Sequence, residues 1–225
     1  MDRRRATENQ NSKRARIRIG CGRTASARYL LRIANKDSYT PRDVQQVSAS
    51  IRKILGSRES ASHFRVSTHA VEFNIFADNE KELEEQKRLL TEGSFEIVSL
   101  RALDTAPKLV SKEEALAEGI EFFNAERFWE CHEALEQAWH IAKGVERDAI
   151  QSIILTAAAF VHYQKGEEEI CLSIMKRARA KMALVKAYEV IDFEGLERNI
   201  DGILDSEKVQ LFKLLTSRPE WHDFY

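Results

Sequence analysis

Residues 71–90 read VEFNIFADNEKELEEQKRLL, and the apolar period changes inside this stretch. Val71, Phe73 and Ile75 alternate with Glu72, Asn74 and Phe76, the spacing of a strand with one face turned to a core. Asp78 and Asn79 then offer helix caps. Beyond them Leu83 and Leu90 stand one heptad apart, with Glu80, Glu82, Glu84 and Glu85 in the early turns and Lys87 and Arg88 later, as the helix dipole favours. Upstream, Phe64 and Val66 form the other arm of a hairpin across Ser67 to Ala70. Earlier still, Thr40-Pro41 starts a helix that carries Val44, Val47, Ile51 and Leu55 and stops at Gly56, preceded by the alternation of Tyr29, Leu31 and Ile33. Phe95 to Leu100 supplies a last strand. The order β-α-β-β-α-β over residues 28–103 predicts a ferredoxin-like domain, two helices on one face of a four-stranded antiparallel sheet. With Tyr29, Phe64 and Phe73 turned to the helices, the open face carries Arg32, Arg65, Glu72, Asn74 and Phe76, which is not an aromatic platform for RNA bases. By fold-level analogy this favours a small pairing or dimerisation unit, and with it a homo-oligomer.

The whole chain has 225 residues with a net charge of −1, and that balance conceals an asymmetry. Residues 1–28 hold nine Lys/Arg and two acids, residues 29–110 twelve of each, and residues 111–225 hold 14 basic and 22 acidic side chains. Residues 1–27 therefore read as a basic arm with little to bury, suited to nucleic acid or to an acidic protein surface, this chain's own acidic half included. Cys21, Cys131 and Cys171 are far apart, which supports neither a disulfide framework nor a cysteine zinc site, and points to a reducing compartment. The most apolar run, Ile153 to Val161, is about half of the roughly 20 residues a membrane span needs. The expectation is a soluble cytoplasmic protein without a membrane partner.

Residues 104–110 read as a linker and residues 111–225 as a helical bundle, so the fold class is α+β. Ser111 and Glu114 form a capping box ahead of the stripe Leu116, Ile120 and Phe123. Further helices are expected over Phe128–Ala142, Glu146–Gln164, Glu167 to about Val190 and Asp192–Leu204, with a short last one over Val209–Leu215. The third is apolar almost all round and should run through the centre of an open bundle of about five helices.

The stretch that can carry chemistry is Phe128-Trp129-Glu130-Cys131-His132-Glu133-Ala134-Leu135-Glu136-Gln137-Ala138-Trp139. At about 100° per residue, with His132 at zero, Glu136 falls near +40°, Trp139 near −20°, Phe128 near −40° and Leu135 near −60°. Glu133 lies at the border of that face and Glu130, at about +160°, should sit in water. A histidine and a carboxylate among aromatic residues cost several kcal/mol unless partnered, which marks a site. Three readings stand side by side. His132 and Glu136 have the i, i+4 spacing of helical metal ligands, with a divalent metal as cofactor and a third ligand from His162 first, or else from His140 or Glu133. Alternatively His132, Glu133 and Glu136 perform acid-base chemistry of a hydrolytic kind, walled by Trp129 and Trp139. Or a His-Glu hydrogen bond, completed by Gln151 or His162, only fixes helix register. The chain is accordingly either an enzyme built on His132, Glu133 and Glu136 or a non-catalytic module that binds RNA or an acidic protein through its arm.

Phe123-Asn124, Phe128-Trp129-Glu130 and His132-Glu133-x-Leu135-Glu136-x-x-Trp139, followed by Gln151, the alanine-rich run, His162 and Gly166, resemble the signature of a small helical family, the domain of unknown function numbered three hundred and nine. The resemblance spans residues 111–200 and implies an open bundle of about five helices, without naming a substrate. The chain departs from the family pattern at Ser152, where Gly is typical, and at Ala125 and Glu126, where a Gly is common.

Overall fold

The computed structural model describes residues 26–57, 59–103, 110–185 and 190–216. Residues 1–25 of the basic arm and residues 104–109 of the linker lie outside that set.

Strands β1 (Ala27–Ala34), β2 (Ala61–Val66), β3 (Ala70–Ala77) and β4 (Ile97–Ala102) form one sheet in the order β2-β3-β1-β4, with every pair antiparallel. A 3-10 turn over Pro41–Asp43 leads into α1 (Val44–Ile54), and α2 (Glu80–Glu92) joins β3 to β4. Thr40 and Asp43 close a capping box at the first start, and the Asn79 side chain accepts from the Glu82 amide at the second. Leu31, Ile33, Val47, Ile51, Phe64, Phe73, Ile75 and Leu90 make the core between the sheet and these two helices. The alternation of residues 71–75 thus does what its period predicts.

Helices α3 (Lys112–Asn124), α4 (Phe128–Ile141), α5 (Gly144–Gln164), α6 (Glu168–Met182) and α7 (Phe193–Ser206) build a second core. Helix α5 packs between α4 and α6, and its Phe160 ring stands 4.9 Å from Phe128, 5.8 Å from Phe123 and 5.3 Å from Phe212. Ser152, at the position where Gly is typical of the resembled family, is fully buried and satisfied within its own helix by donating to the Ala149 carbonyl. Among the described residues no helix is long and apolar enough to cross a membrane.

Two expectations for the helical half need correction. The helix after Gly166 ends at Met182 rather than near Val190, where the Val185 amide turns back to the Met182 carbonyl; residues 186–189 lie outside the described residues. No helix forms over Val209–Leu215, which has no regular secondary structure. Asn124 takes both backbone groups of Leu214, donating to its carbonyl at 3.0 Å and accepting from its amide at 2.7 Å. Asp192 donates its amide to Leu215, and Ile191 bridges Thr216. These distant partners satisfy the backbone better than one isolated helical turn, whose nucleation is unfavourable. The last strand of the sheet begins at Ile97, two residues later than the apolar run suggested.

Candidate functional site: a charged seam between sheet and bundle

The open face of the sheet is not open. Register places Arg65 of β2 opposite Glu72 of β3, and Glu72 opposite Arg32 of β1, so three charges form one row across three strands. Arg32 Nε lies 2.8 Å from Glu72 Oε1, and Arg65 Nε donates to Glu72 Oε2 at 3.1 Å. Arg65 is 4% exposed and Glu72 2% exposed, and side chains of α4 reach this face of the sheet. The Arg65 guanidinium stacks on the Trp129 ring, 5.7 Å from its centroid, and Arg101 of β4 donates to Glu133 at 3.2 Å.

Glu130 is the residue on which the helical-wheel argument fails. Instead of facing water it is 2% exposed, and Arg127 grips its Oε1 from Nε and Nη2 at 3.2 and 3.0 Å. The wheel identified α4's face towards the bundle and had no knowledge of the sheet, which covers the opposite border. Burial raises the Glu72 pKa, the Glu130 charge raises it further, and Arg65 and Arg32 oppose both. A second carboxylate therefore faces Glu72 across the seam.

The sign of the resulting pH dependence follows. An acid whose pKa is raised by folding binds more protons folded than unfolded, so stability falls as pH rises from the ordinary carboxylate value towards the folded one. Glu130→Gln removes one cause of the rise. The expected result is a weaker decline of melting temperature between mildly acidic and neutral pH in Glu130→Gln than in the wild type, read by thermal melts across that range.

His132 and Glu136 do not enter the apolar core. The buried face of α4 runs through Phe128, Cys131, Leu135 and Ala138, centred about 80° from His132. The His132 side chain is 28% exposed and that of Glu136 is 52% exposed, with Nδ1 and Oε2 3.8 Å apart. The His132 ring lies parallel to Trp129 at 6.2 Å between centroids, on the solvent side of the seam. The remaining candidates are dispersed. Trp139 packs beneath Arg147, 3.9 Å from guanidinium carbon to ring centroid. Gln151 is half-buried on α5, and His162, at the end of α5, is bonded to Glu167. Among the described residues no three His, Cys, Asp or Glu side chains converge as metal ligands. Cys131 is buried and unpaired, and burial pushes its thiol well above the ordinary range; the same cause pushes Cys171 up to about 12.

Residues 116–174, from α3 to the middle of α6, match the family model described as a domain of unknown function, DUF309. The match covers part of the helical region. No curated protein and no solved structure matches the chain. Within the DUF309 segment, Glu126 adopts φ +58°, the left-handed conformation that glycine favours, at the turn where the family pattern commonly has one. Its side chain accepts from the Thr68 amide at 2.7 Å, tying this turn to the β2–β3 hairpin. DUF309 residues Glu126, Trp129, Glu130 and Glu133 thus all lie along the contact with the sheet. Sequence reasoning missed that contact. The available signal was the mixture of Arg32, Arg65 and Glu72 on one strand face, which is costly unless those charges pair and are covered together.

Proposed function

We propose that this protein is a non-catalytic binding module that contacts nucleic acid through its basic segment, residues 1–27, and uses the DUF309 motif helix as the joint between sheet and bundle. One observation carries the reading: α4 commits Trp129, Glu130 and Glu133 to the seam, while His132 and Glu136 lie apart on its solvent side. In this reading the sheet unit is a ferredoxin-like domain, supported by its β-α-β-β-α-β order and all-antiparallel pairing. Its face is occupied by α4, so RNA bases do not stack there and the arm supplies the phosphate contacts. Unpaired Cys131 and Cys171 agree with a reducing cytoplasm. The competing reading makes His132 a base or metal ligand, with Glu136 orienting it and Glu133 as general acid.

Metal content and melting of the full chain, its His132→Ala variant and its Glu133→Gln variant separate the two. His132→Ala and Glu133→Gln should each change stability by less than about 1 kcal/mol, as expected for exposed groups, with no stoichiometric metal lost. A stoichiometric divalent metal that disappears from a folded His132→Ala variant overturns the proposal. For the arm, replacing its Lys and Arg residues 3, 4, 5, 13, 14, 16, 18 and 23 by Gln should abolish the salt-sensitive binding of a single-stranded RNA.

A further inference from the structure

At the edge of the sheet the bulge between Ser62 and Arg65 interrupts the β2–β3 ladder, and His63 sits in it with φ +55°. A non-glycine residue in this conformation is strained, and strain of this kind is concentrated at functional sites. Ser62 Oγ lies 2.9 Å from His63 Nδ1, which fixes the ring and leaves Nε2 for an outside partner. The charges that act on His63 are all positive: Lys165, Arg65 and Arg28. Burial is the larger cause holding its pKa below the ordinary value, with these cations adding to it. Lys165 comes from the turn after α5, which packs against β2. That turn is fixed in place because Gly166, at φ +75°, approaches the Pro41 carbonyl so closely that a Cβ would stand 2.7 Å from it. Neither His63 nor Lys165 has an ion-pair partner among the described residues. Arg28, one residue into β1, is the last of the nine cations of residues 1–28, so the basic segment leads directly into the sheet that carries His63.

We infer that His63 and Lys165 form a phosphate-binding corner on the folded part of the chain, which takes the backbone of a single-stranded nucleic acid held by the arm. Lys165 supplies charge, and the fixed His63 ring supplies a directed N–H donor. The inference rests on the nucleic-acid reading of the arm and adds a site that is held rigid.

The test is fluorescence anisotropy of a labelled single-stranded RNA with the full chain, across a salt series. The proteins are the wild type, Lys165→Ala, His63→Asn and the arm variant with its eight Lys and Arg residues replaced by Gln. Asn tolerates the positive φ, so His63→Asn keeps the bulge, and equal melting temperatures confirm folding. Lys165→Ala should reduce the slope of log K against log salt by about 0.7, one phosphate contact on a single strand. His63→Asn should lower affinity several-fold with the slope little changed. Unchanged affinity and slope in both, with binding lost in the arm variant, overturns the corner and leaves the arm reading intact. Absence of RNA binding by the wild type overturns both, including the case where a polyglutamate peptide binds instead. Inorganic phosphate that binds through Lys165 and His63 without competing with the RNA overturns the nucleic-acid assignment of the corner.

Discussion

Arg65→Ala should lower the stability of the full chain by about 3–5 kcal/mol at neutral pH, the range for removing one partner of a buried ion pair. Arg65 is almost fully buried and meets Glu72 through Nε, while its guanidinium covers the Trp129 ring. Its loss leaves Glu72 with Arg32 alone, while the Glu130 charge still acts on it from the other side of the seam. Arg65→Met separates the two contributions, since it retains much of the alkyl packing without the charge. Most of the loss should persist in Arg65→Met if charge pairing dominates. Arg65→Lys should recover little, because an ammonium cannot hold Glu72 with the same fork of donors. Urea unfolding reads each variant as a shift of midpoint, with an unchanged slope confirming that the same surface is exposed.

Phe160→Ala should cost a similar amount, about 3–5 kcal/mol, for a different reason. Phe160 is fully buried on the central helix α5, and its ring is shared by Phe123 and Phe128 from the two preceding helices and by Phe212 from the segment after α7. Truncation opens a cavity that three separate segments would have to close together, and α5 is held on both sides by α4 and α6. Phe212→Ala should cost less, since Phe212 is only partly buried. Equal midpoints in urea for Phe160→Ala and wild type would show that the bundle core lies elsewhere.

The sheet unit was legible because its signals are local. The alternation of Val71, Phe73 and Ile75, the Asn79 cap and the Leu83–Leu90 spacing each depend on neighbours within a few residues. The same holds for the capping box at Ser111 and the start of α7 at Asp192, whose side chain accepts from the Gly195 amide. What failed depends on contacts remote in sequence. Leu214 is claimed by Asn124, ninety residues away, so a segment with helical spacing forms no helix. Glu130 is covered by a sheet whose own open face gave no sign of what it meets. A helical wheel assigns one buried face, and α4 has two: one towards the bundle through Cys131 and Leu135, the other towards the sheet through Glu130. His132, placed at the centre of the wheel by the large residues Phe128 and Trp139, falls outside the buried face, which is lined on one side by the small Cys131, Ala134 and Ala138.

The central claim is that the DUF309 motif helix joins the bundle to the sheet, and a double-mutant cycle of Arg65→Ala and Trp129→Ala tests it most directly. Arg65 comes from β2 of the sheet and Trp129 from α4 of the bundle, and the two side chains meet at the seam. Urea unfolding of the wild type, both single variants and the double variant should give a coupling of about 0.5–1 kcal/mol across the seam, the range for a cation–π contact with a partly exposed ring. Single-variant losses that add to within about 0.3 kcal/mol would contradict the account, because residues that hold two units together cannot be energetically independent.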